Sequence, residues 1–374
     1  MSSLFRTAAI AAVTAVCGCA PAKLITIPAA TYESAAVEGL TGDHGQLIEN
    51  LRGLLKERRL ALQVMPDASA TMAAKMLANR LAQAKGVLPS EGRNMLHEAG
   101  IADVGARYFA ASVGYNALVP TSEDLAPLLD SLGPVGGLLY VGAADIKDSL
   151  NSKRHWAVVV VPRVVAVAGL SRRFEPSTKL ELKGRFLETV AATELELLKP
   201  DGTVDRSEMA LAADGTFATT VEMPAAAGQY VVSILARFKG AERVLLAAPV
   251  GVGVPVSAWP PVAADLAVAS EKELELALVK IVGQARGKPM AERKELMEAA
   301  KACAVAQAAG QECAPALAGS RMVAFDVSSD AVERMVSEIV AMPWTRAAWK
   351  PETGAVAAAP TSAGHFVVTV AFAE

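Results

Sequence analysis

The run WAVVVVPRVVAV, residues 156–167, decides how this chain is read. It is apolar except for Arg163 and dominated by β-branched valine. That length and branching predict a strand buried on both faces. Helical spacing recurs before it, and most of the next hundred residues alternate as strands do. The run therefore closes one module and introduces another.

Four helical patterns precede it. Asp43 can cap a helix, with Gln46 three residues on, and Leu47, Leu51, Leu54 and Leu55 line one face. Asp67 can cap a second helix through AAKMLANRLAQA, which Gly86 stops. Ser90 and Gly100 bracket a third, and Ser122 and Gly133 a fourth. Residues 43–167 thus form a module of four helices and a few strands, with its last strand late.

After the run the period changes to two. KLELKGRF (179–186), TELELL (193–198), TFATTVEM (216–223) and YVVSILARF (230–238) alternate, and AERVLLAAPVGVGV (241–254) closes the set. Pro200-Asp201-Gly202 and Asp214-Gly215 supply turns. Short strands with turns at this spacing predict an antiparallel immunoglobulin-like β-sandwich over residues 168–258. Tyr230 follows an Ala-rich corner, so it reads either as a tyrosine-corner residue or as an ordinary core tyrosine.

The proline-rich AWPPVAADL (258–266) joins this to a third module over 259–374. Ser270 and Glu273 form a capping box ahead of a stripe at Leu274, Leu278, Ile281, Val282 and Ala285. A second helix is expected over 291–309, a third over 328–341, and a final strand over 364–372. The two outer modules share an order of helices and a late strand. They also share a string, AAKMLA at 73–78 and AAKACA at 299–304, and a proline after the later helix, Pro134 and Pro343. This suggests a duplication with a sandwich between the copies.

The segments LRGLLKERRLAL (51–62), EAAKACA (298–304) and MPWTR (342–346), with HWAVVVV and HFVVTVAFAE as terminal strands, resemble the CAP superfamily. That superfamily comprises cysteine-rich secretory proteins, antigen 5 and pathogenesis-related-1 proteins. The resemblance implies an α+β class, with two α-β-α sandwich domains flanking the β-sandwich. Metal-binding members use two histidines in a cleft. The matching positions here are Leu77 and Gly136 in one copy, Cys303 and Thr345 in the other. None offers an imidazole, so the expectation is no metal and no cofactor.

The amino terminus has a separate reading. One positive charge at Arg6, a ten-residue apolar run from Thr7 to Val16, and small residues thereafter make a signal peptide over 1–18. Val16-Cys17-Gly18-Cys19 resembles a bacterial lipobox, which implies a diacylglyceryl thioether on Cys19 and anchoring by acyl chains such as palmitate. Residues 19–42 then act as a tether. The expected location is the cell envelope, at the outer membrane facing the periplasm or the surface.

Composition bounds the chemistry. The chain has 374 residues, 52% hydrophobic, with a net charge of −3, which argues against electrostatic nucleic-acid binding. Cys303 and Cys313 admit either a disulfide or two buried thiols. The four histidines are His44, His97, His155 and His365, and each reads as a surface or edge residue. His97-Glu98 is the one adjacent His–acid pair and the weak catalytic candidate, although neighbours on a helix diverge. No G-x-S-x-G or phosphate-loop motif occurs. Trp344 and Trp349 are an aromatic surface or a core plug. These features predict a non-catalytic module binding a protein or cell-wall ligand. The alternative is an envelope hydrolase of peptide or cell-wall substrates, built on His97, Glu98 and an acid from elsewhere.

Overall fold

The computed structural model describes residues 29–32, 37, 40–83, 86–87, 89–130, 132, 137–200, 203–238, 241–256, 272–276, 278–279, 291–314, 316–327, 353–360 and 366–373. The chain is of the α+β class. Its first module is built on strands β1 (Gln63–Pro66), β2 (Arg107–Gly114), β3 (Leu138–Asp148) and β4 (Lys153–Pro162), in the order β1-β3-β4-β2. β1 runs parallel to β3, and the other pairs are antiparallel. Helices α1 (Gly42–Glu57) and α4 (Ser122–Asp130) cover one face, and α2 (Ala68–Gln83) and α3 (Pro89–Glu98) the other. The pleat of β4 serves both layers. Trp156, Val158 and Val160 enter the α1/α4 core, while Ala157, Val159 and Val161 enter the α2/α3 core.

Local chemistry sets the helix ends. The Ala70 amide donates to Asp67 Oδ1 at 2.8 Å, capping α2. α4 starts with a reciprocal box, in which Asp124 N–H meets Thr121 Oγ1 and the Thr121 amide meets Asp124 Oδ2. Asp43 does not cap α1. It sits in the first turn and pairs with Arg154, and Thr41 stands at the N-cap without a side-chain bond. α2 crosses β3 at Gly142, where an added Cβ would strike the backbone of Ala70 and Thr71.

The 156–167 run is not one strand. β4 ends at Pro162, which has no amide to continue a ladder. Arg163 turns the chain through a buried ion pair with Asp103, and β5 (Val165–Ala168) joins a different sheet. That sheet is β10 (Thr216–Glu222), β7 (Lys179–Phe186) and β5. It faces a second sheet containing β9 (Val204–Glu208), β8 (Ala191–Leu198), β11 (Gly228–Phe238) and β12 (Ala241–Val252), with β6 (Arg173–Phe174) parallel to β12. Leu180, Leu182 and Phe217 from one sheet meet Leu195, Val232, Ile234 and Val250 from the other in one core. Tyr230 is buried, and its hydroxyl donates to the Ala226 carbonyl at 2.8 Å.

The second sheet runs on without a break into the third module, where β12 pairs with β14 (Ser320–Val327) at Glu242 and Val323. The order there is β13 (Ala291–Glu292), β15 (Thr353–Pro360), β16 (Phe366–Ala373), β14. β13 is parallel to β15, and the other two pairs are antiparallel. Strand for strand, this is the order and direction of the first module. Helix α5 (Lys294–Ala308) packs on this sheet through Leu296, Ala300, Cys303 and Ala304, as α2 packs on the first. The expected helix at 328–341 lies outside the described residues.

Candidate functional site

The free end of the first module, where β3 turns into β4, gathers the polar groups most able to do chemistry. Antiparallel pairing sets Ser112 of the edge strand β2 opposite His155 of β4. Tyr115 N–H donates to the Ser152 carbonyl at 3.0 Å, so in the same register Val113 faces β4. Ser112 and His155 therefore form the closer, non-hydrogen-bonded kind of pair, and the Ser112 amide turns toward the open edge. Ser112 Oγ lies 2.8 Å from His155 Nδ1. The ring's other nitrogen, Nε2, is 3.9 Å from Asp148 Oδ2 and makes no hydrogen bond. A bare nitrogen lone pair facing a carboxylate is unfavourable. Nε2 thus carries the proton, and Nδ1 accepts the Ser112 hydroxyl.

Burial lowers the His155 pKa below the ordinary histidine value, Asp148 pulls it back up, and Lys153 adds to the lowering. The imidazole is neutral at pH 7 and can accept a proton. Asp148 is itself held in the charged form by Asn151, whose side-chain and backbone amides both donate to it, with Leu150 N–H adding a third bond. Sequence alone places His155 ahead of the strand, as an edge residue. In the structure it lies inside β4 and is buried, because α2 covers that face of the sheet.

The opposite face of the same hairpin is a charged clasp. Arg154 is held between Asp145 (2.8 Å) and Asp43 (2.6 Å), and its guanidinium stacks 4.2 Å over Trp156. His44 Nε2 meets Asp145 Oδ1 at 2.9 Å, and its ring is edge-on to Trp156. These contacts pin the start of α1 to the sheet.

His97 and Glu98 sit at the other end of the module, where it meets the sandwich. His97 is buried, and desolvation, with Arg93 and Arg172 nearby, pushes its pKa well below the usual value. Its Nδ1 makes no hydrogen bond. The Glu98 carbonyl accepts from Arg172 at 3.2 Å and from the Ala29 amide at 2.7 Å. Tyr32 donates to the Pro249 carbonyl at 2.6 Å, and burial raises its pKa. The pair that sequence proximity suggests is therefore part of a packed joint, with cations rather than an acid around the imidazole.

A cleft of about 790 Å³ opens between the sandwich and the third module. Glu194, Glu208, Glu242 and Glu312 line it together with Arg206 and Arg237. One wall is the loop after α5, tied back by a disulfide between Cys303 and Cys313. Among the described residues, no group of His, Cys, Asp and Glu is arranged to hold a metal ion. Nor is any described helix long and apolar enough to cross a membrane. Leu77 is core, Cys303 is in the disulfide, and Gly136 and Thr345 lie outside the described residues, as do Cys19, Trp344 and Trp349.

Compared with known proteins, the chain matches no family model, and no curated protein matches it significantly in sequence. Sequence reasoning misses Ser112 and Asp148 because they lie 43 and 7 positions from His155, on separate strands. A signal that could have found them is the strand order that the first and third modules share. Counting from the paired positions Arg107–Val160 and Val323–Val370, the sequence positions that match Ser112 and His155 in the third module hold Ser328 and His365. Both of those lie outside the described residues.

Proposed function

We propose that the protein is a lipid-anchored cell-envelope protein in which two CAP-like modules bracket an immunoglobulin-like sandwich, and that its cleft holds a ligand without transforming it. The carrying observation is the cleft between sandwich and third module, whose size is that of a ligand site and whose lining mixes carboxylates with arginines. Such a lining suits a zwitterionic peptide, whether the stem peptide of a cell wall or a segment of a partner protein. No cofactor is assigned.

Supporting the architecture are helices on both faces of the first sheet, the repeated strand order, and the Tyr230 hydroxyl bonded to backbone four residues upstream. Supporting the compartment is the disulfide, since such bonds persist where the milieu is oxidising. Anchoring rests on Cys19, in the lipobox-like stretch.

Two measurements test this reading. Cells expressing the full chain are fractionated, with a Cys19→Ser variant beside it; the wild type is expected in membranes and the variant in the soluble envelope fraction. The full chain, purified in detergent, is titrated calorimetrically with cell-wall muropeptides. Glu208→Lys with Glu242→Lys is expected to weaken binding at least about tenfold, a loss of about 1.4 kcal/mol. Equal membrane retention of the Cys19 variant would remove the anchor, and unchanged binding would remove the cleft.

A further inference from the structure

The geometry points to a second, separate site: Ser112 is a nucleophile, with His155 as its base and Asp148 behind the ring, acting on carboxylic esters with an apolar acyl chain. This goes beyond the binding assigned to the cleft and does not rest on it. Three observations converge at the free end of the first module. The hydroxyl is within hydrogen-bond reach of a buried, neutral imidazole. That imidazole turns its second nitrogen, buried and without a hydrogen bond, toward a carboxylate fixed by three donors. The two loops beside the serine, joined by Tyr115 N–H and the Ser152 carbonyl, display Leu118 at 86%, Leu150 at 76% and Tyr115 at 38% exposure. Large apolar side chains exposed together beside a polar constellation are what an acyl chain would cover.

The chemistry balances as acyl transfer to water. Ser112 Oγ attacks the ester carbonyl carbon while its proton passes to His155 Nδ1. The carbon–alkoxy bond breaks, and the leaving alcohol takes that proton. Water then attacks the acyl-serine, giving its proton to His155, and the serine is restored as the acid departs. Asp148 stabilises the imidazolium formed at each attack. The Ser112 amide, directed to the open edge of β2, is available to the developing oxyanion. The third module keeps serine and histidine at the corresponding sequence positions, Ser328 and His365. The position matching Asp148, counted from Leu138 and Thr353, is Ala363.

The test uses the purified full chain in detergent. A fluorophosphonate probe is added, and the tryptic peptide bearing Ser112 is read by mass spectrometry, with Ser112→Ala in parallel. Hydrolysis of p-nitrophenyl butyrate and octanoate is followed with pH. Expected are one adduct on Ser112, loss of both adduct and turnover in the alanine variant, and a rate that falls on acidification with its midpoint below the ordinary histidine value, because burial lowers the His155 pKa. Leu150→Asp should raise KM for the octanoate about tenfold and KM for the butyrate much less. Ser112 is exposed and its truncation opens no cavity, so the alanine variant should fold, with a melting temperature lower by a few degrees because His155 Nδ1 loses its donor. No adduct on the folded wild type, or labelling and turnover undiminished in Ser112→Ala, would overturn the proposal.

Discussion

Asp103→Ala should loosen the joint between the first module and the sandwich more than any other single charge removal. Asp103 and Arg163 side chains are each 6% exposed, and Arg163 Nη2 lies 3.1 Å from Asp103 Oδ2. At an effective dielectric of about 20, the gross attraction at that distance is about 5 kcal/mol. Burial opposes the charge on Arg163, and Asp103 overcomes that opposition, raising the Arg163 pKa. Removing the carboxylate leaves a buried guanidinium with the Tyr140 ring, 4.5 Å away, and the more distant charge of Asp67 as partial compensation. The expected cost is about 3–5 kcal/mol. With a urea slope near 2 kcal/mol per molar, the midpoint should fall by about 2 M. Fluorescence of Trp156, fully buried in this module, is the natural probe. The double variant Asp103→Leu with Arg163→Met should recover most of the loss, because two apolar groups need no pairing. A single-variant shift under about 0.3 M, or a double variant as weak as the two losses added, would refute the reasoning.

Acid should weaken the same joint. His97 is neutral when folded, with its pKa well below 6.5, whereas the unfolded chain protonates it near 6.5. The unfolded state therefore binds the extra proton, and stability falls as pH drops below about 6.5, by up to about 1.4 kcal/mol per pH unit. His97→Leu should flatten the dependence of the urea midpoint between pH 7.5 and 5, leaving the part that His155 contributes in the same direction. Gly142→Ala sets a methyl group into the backbone of α2, and a loss above about 3 kcal/mol is expected by thermal melting. Trp156→Ala empties the α1/α4 core and removes the stacking surface of Arg154, for about 3–5 kcal/mol in urea. Reducing Cys303–Cys313 frees a loop of about ten residues, and the third module should lose about 3 kcal/mol, read as a lower melting temperature with dithiothreitol.

The contacts that matter most divide according to how far apart their partners lie in the chain. The cap at Asp67 is readable because donor and acceptor are three residues apart. The sandwich strands are readable because alternation is a local pattern. The break at Pro162 is not, since a valine-rich run reads the same whether it feeds one sheet or two. Its resolution depends on Arg163 finding Asp103, 60 positions upstream. His97-Glu98 looks like chemistry because the two are neighbours in sequence, yet the fold surrounds that imidazole with arginines from positions 93 and 172.

By itself, then, the amino-acid order determined most of the first module's helices, the alternating strands of the sandwich and which of their faces are apolar, because each of these is a short-range periodicity. Tertiary structure alone decided that one valine run serves two sheets, that Ser112, His155 and Asp148 meet, and that a charged cleft lies between the sandwich and the third module. Those are pairings across tens of residues, set by strand register and by burial, which no local pattern encodes.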